Sequence, residues 1–519
     1  MRKLIFLPLL LLISLVFFAQ NGTEPVKVTD MLKIKSIGSV SKNKEGSKAV
    51  FTVTAIEPDG ESKTEYKYVT QVWLVNTDGS SAPRQLTTAK ESSTQPVFSP
   101  DGKQITFVRQ VEGKPQLFLL SLEGGEAVQL TRFKYGAGNP RWSPDGKQLL
   151  FSASVSMREL LNDSVLNPNR EIPKWPAERP GFENNRHLKA STAKADPDGS
   201  INEVRAYLEN NANDKKAKVM YKLNFLDEAD INTEISFNHF FITDARPDAK
   251  PVAVTKGFYR FNYAEFTPDG KQLVLAGDID STEHPDRSLE GEIYLANTDG
   301  SSLRKLLGEK NINYNTPRIS PSGKWLAFQY GNTSFVSIPT LAVMSLTDSR
   351  KTVVDIAFDR NKGNIQWSAD EKYIYFTAPS NGGQPLCRAD ISSRKVEVLT
   401  DYTSGTGSFD MAGNKIVFVK TEVVNPFEIY VADAAAKNQK RLSSFNTEWI
   451  ATKKLSIPEK HSFKNEKGME IEYWVMKPAN YEPDKKYPLL LEIHGGPSAM
   501  WGPGESTMWH EYQFFCSKG

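Results

Sequence analysis

Near the end of the chain an apolar run, Tyr487-Pro488-Leu489-Leu490-Leu491-Glu492-Ile493, leads into His494-Gly495-Gly496-Pro497. A run of this length and composition reads as a buried strand of a parallel sheet, where both faces are covered. Glycines just past such a strand let the backbone approach a ligand and aim its N–H groups at a developing negative charge. The chemistry this spacing offers is therefore stabilisation of an oxyanion by a backbone donor.

Little else in the sequence has the spacing of a reactive site. His187, His239, His284, His461 and His510 show no metal-ligand pattern and no His-Glu-x-x-His, so surface or packing roles are expected for them and no metal is implied. No glycine loop for a nucleotide phosphate appears, which implies no cofactor, and Gly124-Gly125 and Gly382-Gly383 fall in predicted hairpin turns. A formal net charge of +2 and the lack of a basic stripe with interleaved aromatics point away from nucleic acid. Cys387 and Cys516, the two cysteines, fall in different predicted domains and read as unpaired thiols.

The elements that must position the glycine loop come before it. At 519 residues the chain is too long for one ordinary domain. One short unit recurs: Phe98-Ser99-Pro100-Asp101-Gly102-Lys103, Trp142-Ser143-Pro144-Asp145-Gly146-Lys147, Phe266-Thr267-Pro268-Asp269-Gly270-Lys271 and Ile319-Ser320-Pro321-Ser322-Gly323-Lys324. Degenerate copies begin at Trp367 and Phe409, and a faint first copy spans Asn43-Lys44-Glu45-Gly46-Ser47-Lys48. Pro presets φ, Asp bonds its own backbone, and Gly takes the left-handed position, so each copy is a strand–turn–strand. After each copy comes a second hairpin ending near a Leu-Thr pair, such as Leu86-Thr87 or Leu130-Thr131. Seven copies of each unit predict a seven-bladed, all-β propeller over residues 37–447. One interval is longer by roughly 75–80 residues than the repeat period allows. The excess, about 157–236, is expected between the second and third strands of blade 3, and such an insertion is a candidate binding surface.

Outside the ring the pattern changes. Arg2 and Lys3 followed by an apolar run from Leu4 to Phe18 describe a secretory signal peptide, residues 1–19, with cleavage near Ala19; an uncleaved anchor is the alternative. The protein is expected to be exported, to the periplasm or beyond, with no other membrane contact. Residues 20–36 form an N-terminal segment in which Thr29-Asp30-Met31-Leu32-Lys33-Ile34 can start a short helix. From residue 452 to 519, Asn465-Glu466-Lys467-Gly468 supplies a turn before a strand in which Ile471, Tyr473 and Val475 alternate. Trp509, Tyr512 and Phe515/Cys516 then recur at helical spacing, with Thr507 as a cap and Gly519 as the stop. Strand, hairpin, strand, glycine loop and helix are the start of an α/β domain.

Together these modules resemble the prolyl oligopeptidase family of serine peptidases, in which a β-propeller precedes an α/β-hydrolase domain. The features that carry the resemblance are the seven repeats, Lys485-Lys486-Tyr487-Pro488, His494-Gly495-Gly496-Pro497 and the helix ending at Lys518-Gly519. The His-Gly-Gly-Pro form is most similar to the acylaminoacyl-peptidase and bacterial dipeptidyl-peptidase branches. The resemblance implies that the Gly496 N–H is the oxyanion donor, with His494, Gly495 and Pro497 as its neighbours, and that His494 orients rather than acts as a base. It also implies a short peptide as substrate, and acidic residues of the insertion, such as Glu171 or Glu209, as holders of a free amine. Such enzymes need Gly-x-Ser-x-Gly, then Asp and His in that order, to deprotonate and orient the nucleophile. That elbow is absent; Gly405-Thr406-Gly407-Ser408 has the wrong spacing and lies in a blade. The triad is therefore expected after Gly519, the hydrolase domain is expected to be truncated, and the chain alone is expected to be inactive. The alternative is a non-enzymatic exported propeller resembling TolB-like binding proteins.

Overall fold

The structure, a computed structural model, describes residues 22–60, 64–175, 185–189, 192–210, 220, 222, 226, 231, 233–280, 282–334, 337–348, 350, 352–495, 499–506 and 509–519. The expected signal peptide, residues 1–19, lies outside them. Among the described residues no helix is long and apolar enough to cross a membrane.

Seven four-stranded antiparallel sheets follow one another along the chain and make the seven blades. They occupy residues 36–85, 93–129, 138–253, 260–307, 312–356, 363–398 and 404–441. The recurring turn joins the first two strands of each blade in one register. Phe98 pairs with Ile105, Trp142 with Leu149, Phe266 with Leu273 and Trp367 with Ile374. The turn is held by its own side chains: in blade 2 Ser99 Oγ donates to Asp101 Oδ1 at 2.6 Å, and that oxygen also accepts from the Lys103 N–H at 3.1 Å. These hydrogen bonds, the Ser99 one above all, hold the Asp101 carboxyl below its usual range. Gly102 and Gly146 sit at φ +69° and +71°, which a side chain adopts only with strain. The same turns also touch each other, because a methyl on Gly146 or Gly270 would lie 3.5 Å from Pro100 or Pro144 of the preceding blade. Proline and glycine thus serve both the hairpin and the contact between blades.

One departure from the turn motif is compensated from the next blade. Blade 5 carries Ser322 where blades 2, 3, 4 and 6 have Asp, and Glu371 of blade 6 reaches back to accept from the Ser322 N–H and, at 2.9 Å, from its hydroxyl. Each innermost strand has a bulge. At equivalent places in five of them Ser39, Gln95, Asn139, Thr316 and Asn364 take positive φ. Such bulges re-aim side chains across the ring. Gln95 Oε1 accepts from the Asn139 N–H at 2.6 Å, and Gln366 donates to Phe409 O at 2.8 Å. Ser408, whose Gly405-Thr406-Gly407-Ser408 stretch has the wrong spacing for a nucleophile elbow, accepts from the Val40 N–H at 2.9 Å and so helps tie blade 7 to blade 1.

The long interval from Met157 to Ile235 leaves blade 3 between its second strand, Gln148–Ser156, and its third, Ser236–Asp244. It begins with a helix, α1 (Met157–Asn162), capped by Ser156, whose hydroxyl accepts from the Glu159 N–H. Asp163 then accepts from Lys134 Nζ and Tyr135 OH, both at 2.6 Å, and from the Val165 and Leu166 N–H groups. Met157, Leu160, Leu166 and Trp175 enter the core of blade 3, so the root of the insertion is part of the ring. A second helix, α2 (Ile201–Asn210), presents exposed Ile201 and Leu208.

Blade 7 meets blade 1 through Val417, Val419, Ile429 and Val431 packed on Ile37, Phe51, Val53 and Val75. Over this seam Asn446 exchanges two hydrogen bonds with the Lys35 backbone, both at 2.9 Å. Glu428, 1% exposed, accepts from the Phe445 and Asn446 N–H groups at 3.0 and 2.9 Å and from the hydroxyls of Ser443 and Thr447. Losing that carboxylate leaves several buried donors unpaired, each costing about 1–3 kcal/mol. Glu428→Leu is therefore expected to lower stability to urea by about 3 kcal/mol or more, and Glu428→Gln by less, because the amide still accepts.

His239 is fully buried in blade 3, with Nδ1 3.1 Å from Thr255 Oγ1. Burial pushes its imidazole down to about 4 from 6.5, outweighing nearby carbonyls and Asp163. The unfolded chain binds this proton below about 6.5 and the folded one only below about 4, so stability falls as pH drops through that window. The loss from this residue is expected to approach about 3 kcal/mol. Denaturant titrations of the wild type and His239→Met at pH 7, 5.5 and 4.5 check it; the variant is expected to show the shallower slope.

Candidate active-site loop

The sequence places the glycine loop after a hairpin, and that hairpin is present. Glu459–Lys464 pairs with Glu470–Val475 in register from Glu459–Val475 to Lys464–Glu470. Asn465 makes its turn by accepting from the Lys467 and Met469 N–H groups, with Gly468 at φ +76°. Both strands are polar and largely exposed; the hairpin is fixed by its end. Asn381 Nδ2 donates to Glu472, and the Trp474 ring lies over Gly382, so closely that a methyl there would overlap it.

The expected buried strand differs. Tyr487–Ile493 is in no sheet among the described residues, and Leu489, Leu491 and Ile493 are 91%, 74% and 76% exposed. A strand of this kind needs a paired backbone on each side and cover on both faces. The described residues supply neither, since the two hairpin strands satisfy each other. The part of an α/β domain actually formed is thus the hairpin and the final helix.

His494 and Gly495 follow in an exposed stretch. His494 Nδ1 lies 3.2 Å from the Gly495 carbonyl, and its ring stands edge-on to Trp501 at 6.2 Å. Gly496 and Pro497 lie outside the described residues, as does the expected cap Thr507. Beyond them the chain is seated on the ring by glycines. The Gly382 N–H donates to Met500 Sδ at 3.0 Å, and Gly504 N–H donates to Gly382 O at 2.9 Å. Gly502 lies so close to Gly382, and Gly504 to Ser404, that no side chain fits at either.

The last helix, α4 (Trp509–Lys518), buries Trp509 and Gln513, while Phe515 is 39% exposed; the helical spacing is as read, and the buried face is rotated from the aromatic stripe. Trp509 Nε1 donates to Val423 O of blade 7 at 2.7 Å, and Gln513 exchanges two hydrogen bonds with the Ser456 backbone. His510 Nε2 and Ser517 Oγ reach the Lys27 and Val26 carbonyls. That N-terminal segment forms a 3₁₀ turn, Val28–Lys33, whose Asp30 is buried and pairs with buried Lys453 at 2.9 Å. Hydrogen bonds from Lys33, Lys27 and Lys453, together with the Lys453 charge, outweigh burial and hold the Asp30 carboxyl down at about 2. Burial, with Glu492, Glu505 and Glu511 nearby, pushes the Tyr512 hydroxyl up to about 12.

Gly382 and Val423 both lie in connections between the second and third strands of their blades. The blade 3 insertion leaves from the same connection, so insertion and C-terminal module share one face of the ring. The remaining candidates are dispersed. His284 packs against Trp175, and His461 stacks on Tyr473. Glu171 is exposed, and the side chains of His187 and Glu209 lie outside the described residues. Cys387, buried in blade 6, and Cys516, half-buried in α4, are free thiols. Among the described residues no three or more His, Cys, Asp or Glu side chains gather to hold a metal. Sequence reading missed the role of Gly382-Gly383; two adjacent glycines in a hairpin turn were the one available signal.

Comparison with known proteins supplies the context. A profile of the TolB β-propeller domain matches residues 31–165. The chain is 25% identical over 95% of its length to an uncharacterised peptidase of Bacillus subtilis, YuxL, and spans 69% of it. It is 24% identical to dipeptidyl-peptidase 5 of Porphyromonas gingivalis over 49% of this chain and 37% of the other. Its relatives are peptidases of the prolyl oligopeptidase family. In fold it resembles the acylaminoacyl peptidase of Pyrococcus horikoshii (TM-score 0.65, 17% identity, 96% of this chain, 65% of that one). A puromycin-hydrolysing peptidase of Mycobacterium tuberculosis gives TM-score 0.61 at 13% identity, over 96% of this chain and 68% of that one. The chain thus spans about two thirds of the peptidase structures it resembles and little more than a third of dipeptidyl-peptidase 5.

The glycine seat can be tested directly. A Gly382→Val side chain at φ +86° would meet Trp474 and is expected to cost docking of the module about 1–3 kcal/mol. Hydrogen exchange should show faster exchange in 459–475 and 499–519, with the seven blades unchanged.

Proposed function

We propose that this chain is the propeller and leading part of the peptidase domain of an exported serine peptidase. Such an enzyme hydrolyses short peptides through an acyl-enzyme, in the manner of dipeptidyl- or acylaminoacyl-peptidases. The observation that carries the reading is the module after blade 7. A hairpin, the segment carrying Gly502 and Gly504, and a helix are docked by close contact onto the face that also bears the insertion. A ring that only bound a partner would have no need of it. The match to a peptidase over 95% of the chain supports the same reading.

On this reading the Gly496 N–H donates to the tetrahedral oxyanion, Gly495 and Pro497 shape its loop, and His494 orients it. The ring admits only short or unstructured peptides, and acidic residues of the insertion meet a free amine. Nucleophile, base and orienting carboxylate are not supplied by these 519 residues, which hold no Gly-x-Ser-x-Gly. Export follows from Arg2, Lys3 and the apolar run to Phe18. The TolB-propeller match favours a second reading, a purely binding propeller, over residues 31–165.

Purified 519-residue chain is expected to show no turnover of dipeptidyl or acylaminoacyl chromogenic substrates and no labelling by a fluorophosphonate. Turnover above buffer would refute the inactivity of the chain alone. The coding frame past codon 519 separates the two readings: Gly-x-Ser-x-Gly followed by Asp and His supports the peptidase, and an immediate stop supports the binding propeller.

A further inference from the structure

On the opposite face, where the recurring turns lie, blades 4 and 5 part to leave a cavity of about 350 Å³. Its floor is apolar, made by Leu295, Leu306, Ile319 and Met344, and its rim carries Asp269 and Arg304. Small-ligand pockets begin at about this size and have this make-up, an apolar body with a few polar groups.

Two of the corresponding grooves, between blades 7 and 1 and between blades 6 and 7, are bridged by side chains. In the register of the outer strand pair, Arg304 stands opposite Leu295 as Lys440 stands opposite Val431 in blade 7. Lys440 crosses to the next blade and donates to Asp78 O at 2.5 Å, covering Gly79. Between blades 6 and 7, Tyr375 OH donates to Ala434 O at 2.7 Å. Arg304 is exposed and makes no hydrogen bond or ion pair with a described residue. Asp269 spends Oδ1 on the Thr267 hydroxyl and the Lys271 N–H, and Oδ2 faces no described partner. Hydrogen bonds from Thr267 and Lys271 keep its carboxyl below the usual range, hence charged at neutral pH. The groove therefore presents one cation, one anion and an apolar floor within a single small cavity.

We propose that this cavity is a binding site for a dipeptide-sized zwitterion with apolar side chains. The ligand's carboxylate meets Arg304, its ammonium group meets Asp269 Oδ2, and its side chain covers Leu306 and Met344. The site lies on the face away from Gly382 and the docked C-terminal module and stands whether or not the peptidase reading does.

Calorimetric titration of the purified chain with Leu-Leu tests it. Saturable one-site binding is expected. The C-terminal amide of Leu-Leu, and separately Arg304→Met, should each weaken binding by about tenfold or more, because each removes a charge-assisted hydrogen bond. Thr347→Trp, at an exposed rim position, should block the cavity and abolish binding, whereas Gly382→Val on the other face should leave it unchanged. No saturable binding overturns the proposal. Binding unaffected by Arg304→Met and Thr347→Trp, or lost in Gly382→Val, overturns it as well.

Discussion

A ring of blades, each built from consecutive hairpins, has one seam that no connecting segment of the chain crosses. All four strands of blade 1 come from residues 36–85 and all four of blade 7 from 404–441, so no backbone ladder joins the first blade to the last. The seam is held by side chains alone. Branched apolar residues from both blades interlock, Phe445 stands edge-on to Trp73 at 4.9 Å, and Glu428 with Asn446 gathers the loose backbone donors above them. Without that closure each terminal blade would expose a hydrophobic face, a cost no single surface contact could offset. Beyond the seam the chain is fastened once more, where Lys453 buries its charge against Asp30 and Glu24. A buried ion pair of this kind is strongly destabilising to break by halves.

This closure is what gives the C-terminal module somewhere to sit. Helix α4 rests on the N-terminal segment and on blade 7, the two chain regions that the seam brings together. The loop before it approaches blade 6 through Gly382, Gly502 and Gly504, where backbone meets backbone. A rigid ring thereby fixes the start of α4 and the end of the hairpin, the two ends between which His494 and Gly495 are strung. The insertion joins them on the same face because it interrupts the same connection, second strand to third, in blade 3.

The repeat was legible because its turn demands particular residues. Ser, Pro, Asp and Gly each satisfy a separate requirement of the hairpin, and four near-perfect copies spell it out. The copy at Ile319, with Ser322 in place of Asp, and the degenerate copy at Trp367 keep the same register, although the bridge from Glu371 to Ser322 could not be seen in the letters. The run Tyr487–Ile493 misled for the converse reason. Apolar composition states that a segment would gain from burial, and it cannot supply the neighbours that bury it. Asp30 was legible as a helix-starting residue but not as the partner of a lysine 423 positions later.

Local rules therefore settled the number of blades, their order, the turn chemistry, the place of the insertion in the chain and the hairpin at Asn465–Gly468. Each depends on residues a few positions apart, where φ preferences and side-chain-to-backbone hydrogen bonds act within one turn. Tertiary structure alone decided how the ring closes, that Gly382 receives Trp474 and Gly504, that α4 buries Gln513 in place of Phe515, and that Arg304 stands unpaired over a cavity while Lys440 bridges. These are contacts between residues tens to hundreds of positions apart. Their energies come from packing and desolvation at surfaces that exist only once the blades have come together.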